Sequence, residues 1–184
     1  GHTVFLCALA HHTGKLGHFG GALCQHILPH TGHALRVEGG HQGVKELHVI
    51  VRRQGHALKV CKLDDRLLPC IDFGHLNART LGSIRGAEDY EHILLTMKNE
   101  IGEQRMKCFH SHFSQIEYTE NGGEKRHLTF ADTTYGPYFA PLAEVLVKYD
   151  SQPTIICESA GTQAEDAATM RDLYNQAAER KNQA

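Results

Sequence analysis

Short, nearly continuous apolar runs recur along the last two thirds of this 184-residue chain. They read LLPCID, MKCFHSHF and PTIICES, at 67–72, 106–113 and 153–159. Runs of this length, rich in Leu, Ile and Phe and bounded by charged or turn residues, are typical of parallel strands buried on both faces. We therefore predict parallel strands near 67–72, 107–113 and 154–158.

Helical periodicity separates these runs. Between 87 and 101 the apolar residues recur at helical spacing, with acidic residues in the first turn and Gly102 as a stop. A second helix is expected to open at Pro141, and a third to follow a capping box formed by Thr162 and Glu165, with fraying from residue 176 onward. Strand and helix thus alternate, which predicts an α/β fold with a parallel sheet or barrel.

The segment 114–138 is polar and carries turn signals at Asn121-Gly122-Gly123 and Gly136-Pro137. It is predicted as one long loop. Loops of this length in compact domains usually serve function.

Residues 1–60 differ from the rest, because they hold ten of the fifteen histidines and ten of the eighteen glycines. Three interpretations stay open. The segment could be a zinc module, a His/Gly-rich arm with one strand candidate at 44–51, or a misframed stretch at the start of a partial gene. The third is favoured, since the first residue is not Met and the regular pattern starts abruptly after residue 60. The zinc module would use Cys7, His11, His12, Cys24 and His26.

Composition excludes some classes of protein. Hydrophobic residues make up 41% of the chain, and no apolar stretch approaches the length of a membrane helix. The net charge of −2 provides no global electrostatic case for nucleic acid. The six cysteines form no C-x-x-C pair and residues 3–10 lack a basic start, so a cytoplasmic protein is expected rather than a secreted one.

Metal-binding side chains stand at the ends of the predicted strands. Asp72 and His75 close the first strand, His110 and His112 share one face of the second, and Glu158 ends the third. The C-terminal ends of parallel strands meet at one edge of a sheet, and carboxylates and imidazoles are ligands for zinc or manganese. A plainer alternative is a strand-end Asp72 that caps the next loop.

Four segments resemble the deoxyribonuclease IV (AP endonuclease family 2) branch of the xylose-isomerase-like TIM barrels. They are CIDFGH at 70–75, FHSHFS at 109–114, EKRHLTF at 124–130 and IICES at 155–159. The resemblance covers about residues 61–184 and implies the last three or so βα units of an eight-unit barrel. Residue by residue, it implies metal ligands at Asp72, His75, His110, His127 and Glu158. Asp72 and Glu158 would also be catalytic, with His112 and Glu124 beside the ligands.

The resemblance implies a function as well. Members bind two or three zinc ions and hydrolyse the phosphodiester 5′ to an abasic site in DNA, a step of base excision repair. This chain departs from the family at Lys125, where an Asp is usual, and at His112 and Phe113, where Asn and Asp are usual. The family's remaining ligands belong to strands that should precede residue 61.

Two other functions use nearly the same residues. A sugar isomerase or epimerase of the same superfamily would bind a small sugar and one Mn²⁺ or similar ion. A non-catalytic partial barrel would bind none, and its exposed sheet edges would favour self-association. A count of bound metal separates the three. Because the ligand set is short, the chain as written is expected to bind metal weakly and to have little or no nuclease activity.

Overall fold

The computed structural model describes residues 6–8, 47–50 and 54–183, the first two ranges through their backbone alone. Most of the segment 1–60 therefore lies outside the described residues. That includes every ligand of the suggested zinc module except Cys7.

The described part contains seven strands and six helices. The strands are β1 (Leu6–Ala8), β2 (Leu47–Ile50), β3 (Leu67–Asp72), β4 (His110–Phe113), β5 (Ile116–Tyr118), β6 (Glu124–His127) and β7 (Thr154–Cys157). The helices are α1 (Gln54–Cys61), α2 (Phe73–Arg79), α3 (Ala87–Ile101), α4 (Glu103–Lys107), α5 (Phe139–Lys148) and α6 (Gln163–Gln183).

Five strands form one parallel sheet in the spatial order β1-β7-β4-β3-β2. From β2 to β7 the spatial order follows the chain order, and helices connect successive strands. The three predicted strands are parallel neighbours, which confirms the prediction of an α/β fold. The strand candidate at 44–51 contains β2.

The core lies between this sheet and its helices. Helix α3 has the predicted bounds, and its buried face consists of Tyr90, Ile93, Leu94, Met97 and Ile101. The Phe73 ring, which is fully buried, makes edge contacts with the rings of Tyr90 and Phe109, with centroids 5.4 and 6.4 Å apart. These contacts fix the start of α2 against the sheet, where Asp72 and His75 lie.

The prediction of one long loop over residues 114–138 is wrong. Strands β5 and β6 form an antiparallel hairpin within it. The hairpin lacks an apolar alternation because ion pairs connect its strands: Glu117 accepts from Lys125 Nζ at 3.2 Å and from Arg126 Nε at 2.8 Å. A hydrophobic pattern cannot reveal strands that are joined in this way.

Three boundaries also differ from the prediction. Met106 belongs to α4 rather than to the second strand, and its buried side chain explains why it read as part of an apolar run. Helix α5 begins two residues before Pro141. The expected fraying after residue 176 is wrong, since α6 runs to Gln183. Lys181 Nζ donates to Val147 O and to Asp150 Oδ1, each at 2.8 Å, and these contacts hold the last turns against α5.

None of the helices in the described ranges combines the length and the apolar character needed to cross a bilayer.

Gly74 provides a test of the packing between α2 and the segment after β4. A Cβ at this position would lie 2.7 Å from Ser114 O and 2.9 Å from Ile116 Cδ1. We expect Gly74→Ala to lower the free energy of unfolding by about 1–3 kcal/mol, because a backbone oxygen must move. Urea unfolding monitored by circular dichroism measures this change.

The matched control is Gly55→Ala in α1, where an added Cβ has no atom within 4 Å. It should leave stability unchanged or raise it by about 0.5–1 kcal/mol, since alanine favours the helix. Equal effects of the two substitutions would contradict the packing described here.

Candidate metal centre

Asp72 stands at the junction of β3 and α2 and makes two contacts with His75. Its Oδ1 accepts a hydrogen bond from the backbone N of His75 at 2.9 Å, which caps the helix. Its Oδ2 lies 2.6 Å from Nδ1 of the His75 ring. The plainer alternative, a capping Asp72, is therefore present, and the same carboxylate also orients the imidazole.

This pairing changes the acidity of both groups. Burial raises the pKa of Asp72, but the hydrogen bonds from His75 outweigh it and the net pKa is lowered. The hydrogen bond to Asp72, opposed by burial and helped by Glu124, raises the pKa of His75 to about 9. At neutral pH and without metal, the two residues form an ion pair.

The hairpin brings two further donors to the other side of His75. Nε2 of His75 lies 2.8 Å from Oε2 of Glu124, and Nε2 of His127 lies 3.4 Å from Oε1 of the same carboxylate. Ser114 Oγ lies 2.8 Å from Nδ1 of His127 and so positions this ring. The hairpin fold explains how His127, fifty-two residues after His75 in the chain, reaches it.

A second pair of histidines lies on β4. Nδ1 of His112 is 3.1 Å from Oε1 of Glu158, while its Nε2 is buried and makes no hydrogen bond of ordinary geometry. Burial lowers the pKa of His112, but interactions with Cys70 and Glu158 raise it to about 11. Burial raises the pKa of the Cys70 thiol.

Three groups of possible ligands result, and in each the donor atoms lie within 4.8 Å of one another. They are Asp72 with His75 and Glu158, His75 with Glu124 and His127, and Cys70 with His110 and His112. The first two groups share His75. The third has no member in common with them.

The strand register explains where the predicted ligands lie. Asp72 is paired with His112, and Cys70 with His110, one layer further from the strand ends. Asp72, His75 and Glu158 come together as predicted, and His127 joins His75 from the hairpin. His110, the predicted ligand of the second strand, groups with Cys70, while His112 contacts Glu158.

Sequence reasoning assigned no site role to Cys70 and Ser114. Cys70 lies two residues before Asp72, which places both side chains on one face of β3. That period is the signal that could have identified it. Nothing in the sequence pattern singles out Ser114, because its contact depends on the hairpin.

Comparison with known proteins identifies an archaeal relative. No protein-family model matches the chain. The chain is 35% identical over 119 residues to an uncharacterized protein of the archaeon Methanocaldococcus jannaschii. The match covers 65% of this chain and 42% of the relative, so the chain spans less than half of that protein.

Zinc binding tests whether these groups hold metal. At a free zinc concentration of about 100 times Kd, we expect the folded state to gain about 2.7 kcal/mol, which EDTA should reverse. This corresponds to an increase in Tm of about 5–10 °C for a chain of this size. Thermal unfolding with and without zinc measures the shift.

His75→Ala should lower the apparent zinc affinity by about 10-fold or more, because His75 belongs to two groups. His92→Ala is the control, since His92 is exposed on α3. If both variants show the same shift as the unmodified chain, the ligand assignment is wrong.

Proposed function

We propose that this chain carries the metal centre of a zinc-dependent phosphodiester hydrolase of the deoxyribonuclease IV type, which acts at abasic sites in DNA. One observation carries the proposal. The hairpin places Glu124 and His127 against His75, so a second donor group lies directly beside the Asp72 group. Adjacent metal positions are typical of enzymes that displace a group at phosphorus, in which two ions stabilise the attacking and leaving oxygens.

The donor chemistry fits zinc. Asp72 and Glu158 offer carboxylate oxygens, and His75 and His127 offer imidazole nitrogens, all at the end of a parallel sheet. When bound, zinc supplies a Lewis acid and lowers the pKa of a water molecule toward neutrality. Asp72 and Ser114 orient the two imidazoles through their Nδ1 atoms, which leaves Nε2 of each ring for the site.

A DNA substrate is supported by the cations of the hairpin. Lys125 and Arg126 immediately precede His127, and their side chains are 49% and 70% exposed. Both form ion pairs with the single carboxylate of Glu117, so these three side chains together keep a net positive charge beside the donor groups. Such cations can contact the phosphates that flank a scissile bond. In the resembling family an Asp occupies the position of Lys125, so this chain would rely on Glu124 instead.

The number of candidate ligands is too small for two complete zinc sites, which supports a larger barrel with further ligands. Each catalytic zinc needs about three protein ligands, and His75 cannot serve both of its groups fully. Further ligands would come from additional strands of a TIM barrel. The unidirectional strand order and the position of β1 beside β7 support such a barrel. For the chain as given, we therefore propose weak metal binding and low activity.

A sugar isomerase or epimerase with one divalent ion is the second candidate. His75 belongs to two donor groups and favours this candidate, because a single ion could bind all three members of the group Asp72, His75 and Glu158. One bound ion at this edge of the sheet would support the isomerase, and two or three would support the nuclease. A cytoplasmic location is part of either proposal, and the free thiols of Cys61, Cys70 and Cys157 support it.

Cleavage of an oligonucleotide duplex with one abasic site tests the nuclease. We expect zinc-dependent incision 5′ to the site, slow for this chain and robust for the full-length archaeal relative. Glu158→Gln should reduce the rate by about 100-fold or more, because it removes a charged ligand. Labelled product on a denaturing gel measures incision.

Glu144→Gln serves as the control, since Glu144 is an exposed residue of α5 that pairs with Arg180. It should incise like the unmodified chain. Absence of zinc-dependent incision by both this chain and the archaeal relative would refute the proposed function.

A further inference from the structure

The side chains of Cys70, His110 and His112 share one face of the two adjacent strands β3 and β4. Cys70 is paired in register with His110, and His112 follows two residues later on the same face. Cys70 is 1% exposed and His110 is 7% exposed, and the side chain of His112 is 17% exposed, so the group is largely shielded from solvent.

Glu158 orients His112 toward this group. A carboxylate only accepts hydrogen bonds, so Nδ1 of His112 donates in its 3.1 Å contact with Glu158. Nε2 is the remaining ring nitrogen, and it is buried without a hydrogen bond of ordinary geometry. Histidine ligands in metal sites are commonly held in this way, with one nitrogen on a carboxylate and the other on the ion.

We propose that Cys70, His110 and His112 form a separate, buried metal site for a thiophilic ion such as zinc. The three donor atoms lie within 4.8 Å of one another, and ligands of tetrahedral zinc lie about 3.5 Å apart, so small side-chain rotations bring them to an ion. A thiolate with two imidazoles suits zinc or cobalt and disfavours magnesium or calcium.

This site shares no metal ligand with the proposed hydrolytic centre, although Glu158 of that centre orients His112. The group contains no member of the two other donor groups, and it is the one that includes a sulfur ligand among the described residues. Its three ligands meet the usual number of protein ligands for a zinc ion that keeps one open position. Metal binding at this site can therefore be tested separately from nuclease activity.

Cobalt(II) spectroscopy tests the proposal, because a cobalt–thiolate bond produces a near-ultraviolet charge-transfer band that nitrogen and oxygen ligands do not produce. The chain would carry Cys7→Ser, Cys24→Ser and Cys108→Ser, so that these three thiols do not contribute. Cobalt binding to this background should produce the band. Cys70→Ser should abolish it and lower the amount of bound cobalt by about one equivalent.

Cys157→Ser is the matched control. Cys157 is also a fully buried strand thiol, but its Sγ contacts Ser159 Oγ and it belongs to none of the three groups. This variant should keep the band, and so should His75→Ala, which affects the hydrolytic centre alone. Circular dichroism checks that each variant is folded, and Cys70→Ala replaces Cys70→Ser if the latter is not.

The outcomes separate the two proposals. A band that is lost with Cys70 and kept without Cys157 or His75 supports the site, whatever the result of the incision assay. A background chain that gives no band with cobalt, or a band that survives the loss of Cys70, overturns it. In either of those cases Cys70 is a buried thiol with no role in metal binding.

Discussion

The pair of contacts between Asp72 and His75 is the constraint on which the rest of the site depends. One carboxylate ends β3, caps α2 and orients the His75 ring. These roles require each other, because the ring reaches Oδ2 only if the chain turns into a helix immediately after the strand. Asp72→Asn would keep a capping oxygen, but it would remove the negative charge that orients the His75 ring and raises its pKa.

The parallel register of β3 and β4 then decides which donors meet. Asp72 lies opposite His112 at the strand ends, and Cys70 lies opposite His110 one layer below. At the strand ends Asp72 and Glu158 offer carboxylate oxygens, while Cys70 and His110 offer sulfur and nitrogen, and His112 completes their group from the strand-end layer. Two donor groups of different chemical softness on one face can select different ions, or hold the same ion with different affinity.

The hairpin supplies Glu124 and His127 to the candidate centre, and ion pairs rather than apolar packing connect its strands. Exposed ion pairs of Glu117 with Lys125 and Arg126 connect its strands, and such pairs weaken with salt. Contacts near its base add rigidity: Leu128 N donates to Gln115 O at 2.8 Å, and Ile116 N donates to Gly136 O at 3.2 Å. A metal held by His75, Glu124 and His127 would tie this hairpin to the sheet.

The sequence by itself determined the elements whose residues pack locally. The run at 67–72 and the helix at 87–101 were predictable to the residue, because burial on both faces or on one helical face leaves a regular apolar pattern. The clustering of Asp72, His75 and Glu158 followed from their positions at the ends of parallel strands. Only the tertiary structure decided that His112 rather than His110 contacts Glu158, since strand register is a relation between segments that no single segment encodes. The hairpin, the last turns of α6 and the meeting of Cys70 with two histidines depend in the same way on contacts between residues far apart in the chain.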